Sequence, residues 1–199
     1  EHAKEGHMKT PETPLIFCKT PNTLNGPEDP VLMPQESGKI DWEVELALVI
    51  GKQCKRVPRK DAFSVIAGYT VMNDVSGREA QFADKQWFRG KSYDGFAPMG
   101  PCIVTPDELD DIRNLRLTAT VDGEIMQDGN TRDMIFDIPA IIENISCDIT
   151  LEPGDIISTG TPAGVGIFRD PPVTLKPGNV VECVVEGIGA IRNRFILNE

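Results

Sequence analysis

The sequence predicts a mixed α/β fold, mostly β, with a few peripheral helices. Three observations carry that reading. Residues 40–51 and 68–74 are apolar runs of strand length, rich in β-branched and aromatic side chains. Asp122-Gly123 sits between residues 115–121 and 124–127, a strong hairpin signal. Helical spacing is confined to short stretches at 59–66, 76–83 and 138–145.

In chain order, residues 8–39 are rich in Pro, Gly, Thr and Asn and read as loops with short strands at Leu15-Ile16-Phe17 and Val31-Leu32-Met33. The strand 40–51 alternates, so Val44, Leu46, Leu48 and Ile50 share one face. A short helix at 59–66 carries Ala62, Phe63 and Ile66 on one side. Strand 68–74 ends in the polar pair Asn73-Asp74, before one or two helical turns at 76–83. Residues 84–101 read as a long loop dense in Gly, Pro and aromatics, the kind of segment that often carries function. The hairpin follows, then a helix with Ile141, Ile142 and Ile145 as its stripe. A turn at Glu152-Pro153-Gly154-Asp155 leads into strand 156–159, and strands 180–185 and 190–196 close the chain. We read residues 1–199 as a single domain, long enough to bury its own core.

The formal net charge of −11 argues against a nucleic-acid or anionic-membrane surface. No apolar run approaches the length of a membrane span. The five cysteines are scattered, without a C-x-x-C or Cys/His cluster, which disfavours zinc and disulfide frameworks and suits a reducing, cytoplasmic compartment. The chain opens abruptly at Glu1-His2-Ala3, so a preceding segment, a targeting one included, is an open expectation.

Several residues invite chemistry. Glu43 and Glu45 lead the second face of strand 40–51, which fits either a solvated strand end or two carboxylates gripping one hard cation. Asp74 ends the next strand. Arg78 and Gln81 follow on one helical face, with an Asp N-cap and surface polar residues as the plainer reading. Lys91 lies in Gly90-Lys91-Ser92, but position 85 is Lys where a P-loop needs Gly. Residues 159–166 (Thr-Gly-Thr-Pro-Ala-Gly-Val-Gly) form either a tight turn or a loop offering N–H groups to a carboxylate. Arg169 breaks the dinucleotide fingerprint. His2 and Glu5 are spaced as helical neighbours that could share a proton, unless the terminal histidine is merely solvated. No Gly-x-Ser-x-Gly elbow is present.

Taken together and in order, Glu1-His2-Ala3-Lys4-Glu5, Phe17-Cys18-Lys19-Thr20-Pro21, Trp42-Glu43-Val44-Glu45-Leu46, the run from Ala67 to Arg78, Gly90-Lys91-Ser92 and the 159–166 loop resemble the fumarylacetoacetate hydrolase family along nearly the whole chain. The resemblance implies a rolled β fold like that family's C-terminal domain, and a homodimer. It implies Glu43, Glu45 and Asp74 as ligands of a divalent cation, magnesium with manganese or calcium possible. Arg78, Gln81 and Thr161 would bind substrate. Lys91 would stabilise an oxyanion or enolate, and His2 with Glu5 would activate water on a lid. The family places a strand before that histidine, which this sequence lacks. The implied function is metal-dependent hydrolysis of a C–C bond in a small 2-oxo acid of acylpyruvate type, through an enolate. The same scaffold alternatively supports isomerisation or decarboxylation of oxaloacetate or hydroxydienoate-type acids. A non-catalytic metal- and oxoacid-binding protein is the rival from another class.

Overall fold

The computed structural model describes residue 5 and residues 11–35 and 39–198. Among these, two five-stranded sheets and a two-stranded ribbon dominate. The first sheet runs β1 (Leu24–Asn25), β7 (Ala97–Val104), β5 (Ile66–Asn73), β4 (Val44–Ile50), β10 (Ile156–Ser158). The second runs β2 (Val31–Met33), β12 (Gly189–Leu197), β11 (Val180–Val185), β8 (Arg116–Val121), β9 (Glu124–Asn130). β3 (Ile40–Asp41) and β6 (Ser76–Gly77) form the ribbon. The helices are α1 (Arg78–Asp84), α2 (Phe88–Lys91) and α3 (Ile138–Asp148). The fold is mostly β with few helices, as the sequence predicts.

β4 lies between β5 and β10, so both its edges are paired and all seven residues are buried. Val44, Leu46, Leu48 and Ile50 join the main core, which draws on both sheets through Val71, Leu117, Ala119, Val181, Ile191 and Phe195. The opposite face is buried as well. There Ala47 packs with Met72 and Ala97. The solvated-strand-end reading of Glu43 and Glu45 therefore fails, because this strand has no solvated face.

The hairpin forms at Asp122-Gly123, both with positive φ (50° and 87°), the geometry that matches strand twist. A register shift between Ala119 and Thr120 leaves Met126 as an extra residue on β9, a bulge that turns Gln127 inward. Gln127 is buried. α3 is capped by the Asp137 carboxylate, which accepts from Ala140 N at 2.9 Å, and it buries Ile138, Ile141 and Ile142.

Three expectations need correction. Leu15-Ile16-Phe17 is not a strand. Leu15 and Ile16 are exposed, and Pro11, Pro14 and Pro21 flank the segment and remove donors that a ladder needs. The stretch 59–66 is a 3-10 helix, Arg59–Val65, whose buried residues Ala62 and Val65 stand three apart as its tighter turn requires. Residues 84–101 are not one long loop: they hold α2 and the first half of β7, where Pro98, Gly100 and Pro101 disguise a strand. Pro98 is tolerated because it sits against β1, a partner of only two residues.

Leu46 is fully buried at the centre of this arrangement, whereas Ile125 near the hairpin tip is mostly exposed. Leu46→Ala should cost about 2–5 kcal/mol in urea unfolding, and Ile125→Ala should stay within about 0.5 kcal/mol. Equal losses would show that β4 is not the core strand.

Candidate metal centre and acid-binding site

β4 and β5 set the site by register. Val44 pairs with Asn73, so the next pair outward is Glu43 with Asp74, joined by Asp74 N donating to Glu43 O at 2.9 Å. Asn73 Oδ1 accepts from Glu43 N at 3.0 Å and continues the ladder where the backbone leaves it. Glu45 stands two residues from Glu43, on the same face. Glu43, Glu45 and Asp74 thus converge, with one oxygen of each within 4.8 Å of the others and exposures of 5, 4 and 1 %.

Buried carboxylates need compensation. Lys91 Nζ donates to Glu43 Oε2 at 2.8 Å and to Asp74 Oδ2 at 2.6 Å. Burial opposes its charge, but Asp74 and Glu43 outweigh that and hold its pKa above the ordinary lysine value. Lys91 is therefore an ammonium, placed by the single turn of α2 and lying 5.1 Å over the Phe17 ring. Lys19 Nζ donates to Asp74 Oδ1 at 2.8 Å and to the Lys91 carbonyl. Its pKa is lowered, chiefly by burial and despite Asp74. Ser158 Oγ and Gly160 N donate to Glu45 Oε2, the latter at 2.8 Å. Glu45 is pushed up to about 8, first by burial and then by Asp74 and Glu43.

Arg78, at the start of α1, donates from Nε to Asp41 Oδ2 at 2.9 Å and from Nη1 to Gln81 Oε1 at 3.0 Å. Its other terminal nitrogen makes ion-pair contacts with Asp41 (2.8 Å) and Glu43 (2.7 Å) without hydrogen-bond alignment. Among the described residues, Asp41, Glu43, Glu45 and Asp74 thus face Lys19, Arg78 and Lys91 in one cluster, four acids against three bases.

These residues fit a divalent cation. Hard cations take oxygen ligands, and three carboxylates converge here. The Lys91 ammonium between Glu43 and Asp74 marks a point where positive charge is already favoured, standing in for a cation's contacts.

The 159–166 loop closes the other side. Thr161 Oγ1 donates to Val44 O at 2.9 Å and accepts from Gln127 Nε2 at 2.8 Å. Thr161 is thereby held between β4 and Gln127. Gln127 also donates to Pro162 O (2.9 Å) and accepts from Val44 N (3.0 Å), strapping the second sheet to the loop and to β4. Gly164 N donates to both Glu5 carboxylate oxygens, at 2.9 and 3.0 Å. The loop therefore does receive a carboxylate, that of Glu5 from its own chain. Gly164 has φ +105°, and a Cβ there would meet Met126 O at 2.1 Å. His2 lies outside the described residues. Lys19, Asp41, Gln127 and Ser158 also bond to the residues of this site, although sequence reasoning assigns them no role. Only Lys19 carried a signal, through its place in Phe17-Cys18-Lys19-Thr20-Pro21.

Two outcomes test this geometry. Glu45→Ala should weaken magnesium binding more than about a hundredfold, and an unchanged affinity by calorimetry would remove Glu45 from the ligand set. Glu45 holds its proton more tightly in the folded chain than unfolded. Its stability contribution is therefore full below the unfolded-chain value and lost as pH rises through about 8. Cation binding needs the carboxylate, so magnesium affinity should rise with pH up to about 8 and binding below it should release a proton. Titration in buffers of different ionisation heat reads that proton; its absence would show that Glu45 is already ionised before the ion binds.

The family model "Fumarylacetoacetate (FAA) hydrolase C-terminal" matches residues 1–196. The chain is 46% identical over 198 residues to "Oxaloacetate tautomerase FAHD2A, mitochondrial" of Bos taurus, covering 98% of this chain and 63% of that protein. It thus spans less than two thirds of the length of that curated relative. Among solved structures, a putative HpcE protein from Mycobacterium smegmatis superposes with TM-score 0.95 at 39% identity, covering 100% of this chain and 71% of that one. A 2-hydroxyhepta-2,4-diene-1,7-dioate isomerase from Mycobacterium marinum gives 0.88 at 42% identity, covering 95% and 71%. The mostly-β fold, the ordered motifs and the carboxylate cluster have one common account: this chain belongs to the fumarylacetoacetate hydrolase family of enzymes, through that family's C-terminal domain.

Proposed function

We propose that the chain is a divalent-cation-dependent isomerase or tautomerase of a small 2-oxo acid carrying a second carboxylate. The observation that carries this is the buried meeting of Glu43, Glu45 and Asp74 with Lys91 and Arg78. The relatives named as an oxaloacetate tautomerase and a hydroxyheptadienedioate isomerase favour this reaction class over hydrolysis.

Glu43, Glu45 and Asp74 would hold the cation, magnesium first and manganese or calcium next, with positions left for a bidentate acid. A bound cation would supply Lewis-acid stabilisation of negative charge at the keto oxygen. Lys91, donating to Glu43 and Asp74, is placed as an electrostatic partner for that developing charge. Arg78 and Gln81 present a guanidinium and an amide beside the ligands and orient the acid. The N–H groups of the 159–166 loop, Gly164 foremost, receive the distal carboxylate when Glu5 yields its place. Glu5 and His2 are proposed as the pair that moves the proton between carbon and oxygen.

Hydrolysis of an acylpyruvate is the second reading, favoured by the His2–Glu5 pair, which suits activation of a water. The non-catalytic binding protein remains a distinct outcome. The same proposal takes residues 1–199 as one catalytic domain acting as a homodimer. Among the described residues no helix is long and apolar enough to cross a membrane. Cys18, Cys54, Cys102, Cys147 and Cys183 are free thiols, which supports a reducing compartment; the relative's name places that protein in the mitochondrion.

Enol–keto conversion of oxaloacetate, followed by enol absorbance, should require magnesium and fall about a hundredfold to a thousandfold in kcat in Lys91→Met. Cation binding without turnover of oxaloacetate, hydroxydienoates or acetylpyruvate would support the binding-protein reading instead. His2→Ala should reduce acylpyruvate hydrolysis more than decarboxylation, and equal losses would exclude it as the water-activating group.

A further inference from the structure

Asp41 has no place in the reaction as proposed, yet its carboxylate accepts four hydrogen bonds. It is fully buried. Oδ1 accepts from its neighbour Trp42 N at 2.9 Å and from Gly166 N at 2.7 Å. Oδ2 accepts from Ile167 N at 3.0 Å and from Arg78 Nε at 2.9 Å, with the Arg78 terminal nitrogen 2.8 Å away. One carboxylate thus joins the end of the 159–166 loop to the first residue of α1. The close approach depends on Gly166, where a Cβ would stand 2.8 Å from Asp41 Oδ1 and 2.1 Å from Val173 O.

The electrostatic consequence lies at Glu43. The Arg78 nitrogen that contacts Asp41 also stands 2.7 Å from Glu43 Oε1. A guanidinium whose charge fell on Glu43 alone would compete there with a divalent cation, and at such distances in a buried site that competition is strong. We infer that Asp41 is a positioning residue: it absorbs the charge of Arg78 and aims its fork, and so keeps Glu43 a ligand for the cation. The inference rests on the reading of Glu43, Glu45 and Asp74 as a cation site and adds to it a fourth acid that never touches the ion.

A structural role alone and the charge-balancing role make different demands on Arg78. If Asp41 only fastens the loop, removing Arg78 as well cannot help. If Asp41 screens Arg78, removing the guanidinium relieves the defect. Calorimetric titration with magnesium, and with manganese as a second probe, separates the two. Asp41→Asn should weaken cation binding at least about tenfold. Asp41→Asn with Arg78→Gln should return to within about fivefold of the native affinity while still showing a raised KM for the acid, because the orienting guanidinium is gone. Unchanged affinity in Asp41→Asn overturns the inference, and so does a double variant as weak as the single. Should Asp41→Asn fail to fold, the double variant decides alone, since it no longer buries an unscreened guanidinium: within about fivefold of native supports the inference, and weaker binding overturns it. A native protein that binds neither ion overturns the cation site itself, an outcome read before any variant is compared.

Discussion

Burial of four carboxylates in one place is the constraint on which the rest of this structure depends. Asp41, Glu43, Glu45 and Asp74 are all nearly inaccessible to water, and an unpaired charge there would cost several kcal/mol. The chain answers with Lys19, Arg78 and Lys91, each drawn from a different segment. Phe17 lies beneath Lys91 and packs edge-on against Trp87 at 5.4 Å, so the aromatic pair helps fix where the ammonium stands. The acids therefore hold in place three segments outside the two sheets: residues 17–21, the start of α1 and the turn of α2.

The sheet supplies precision that loops alone would not. Pairing of β4 with β5 brings Glu43 opposite Asp74, and pairing of β4 with β10 brings Ser158 to Glu45. A slip of one residue in either ladder would send these side chains to the other face. The wholly buried strand and the acid cluster are thus one design: β4 fixes the register through Leu46, Leu48 and Ile50, and its entry carries the chemistry.

Much of this was legible from residues alone. Period-two alternation put Glu43 and Glu45 on one face, and the polar end of the next strand offered Asp74. What alternation could not reveal was burial of that face, because Ala47 and Val49 look equally at home on a lightly covered surface. β7 was hidden by Pro98, Gly100 and Pro101, residues that ordinarily end strands. Asp41 and Gln127 were invisible for a different reason. Each is one polar residue in a strand-like run, and their partners, Gly166 and Ile167 for one and Thr161 and Pro162 for the other, lie far away in sequence. Long-range hydrogen bonds of this kind leave no local pattern.

The bulge at Met126 gives the outer hairpin an uneven tolerance to change in chain length. It turns Gln127 inward, and its carbonyl accepts from Arg169 at 2.8 Å while pressing close to Gly164. Residues added after Gly123 would extend the hairpin into solvent and leave Gln127 in phase, whereas Asp122 itself is held by Asn179 and Val180. One residue added or lost between the bulge and Gln127 would rotate the amide away from the loop, some distance from any reacting atom. Variation among descendants of this chain should therefore accumulate at the tip and stop abruptly at the bulge, a boundary drawn by strand phase instead of by proximity to the reaction.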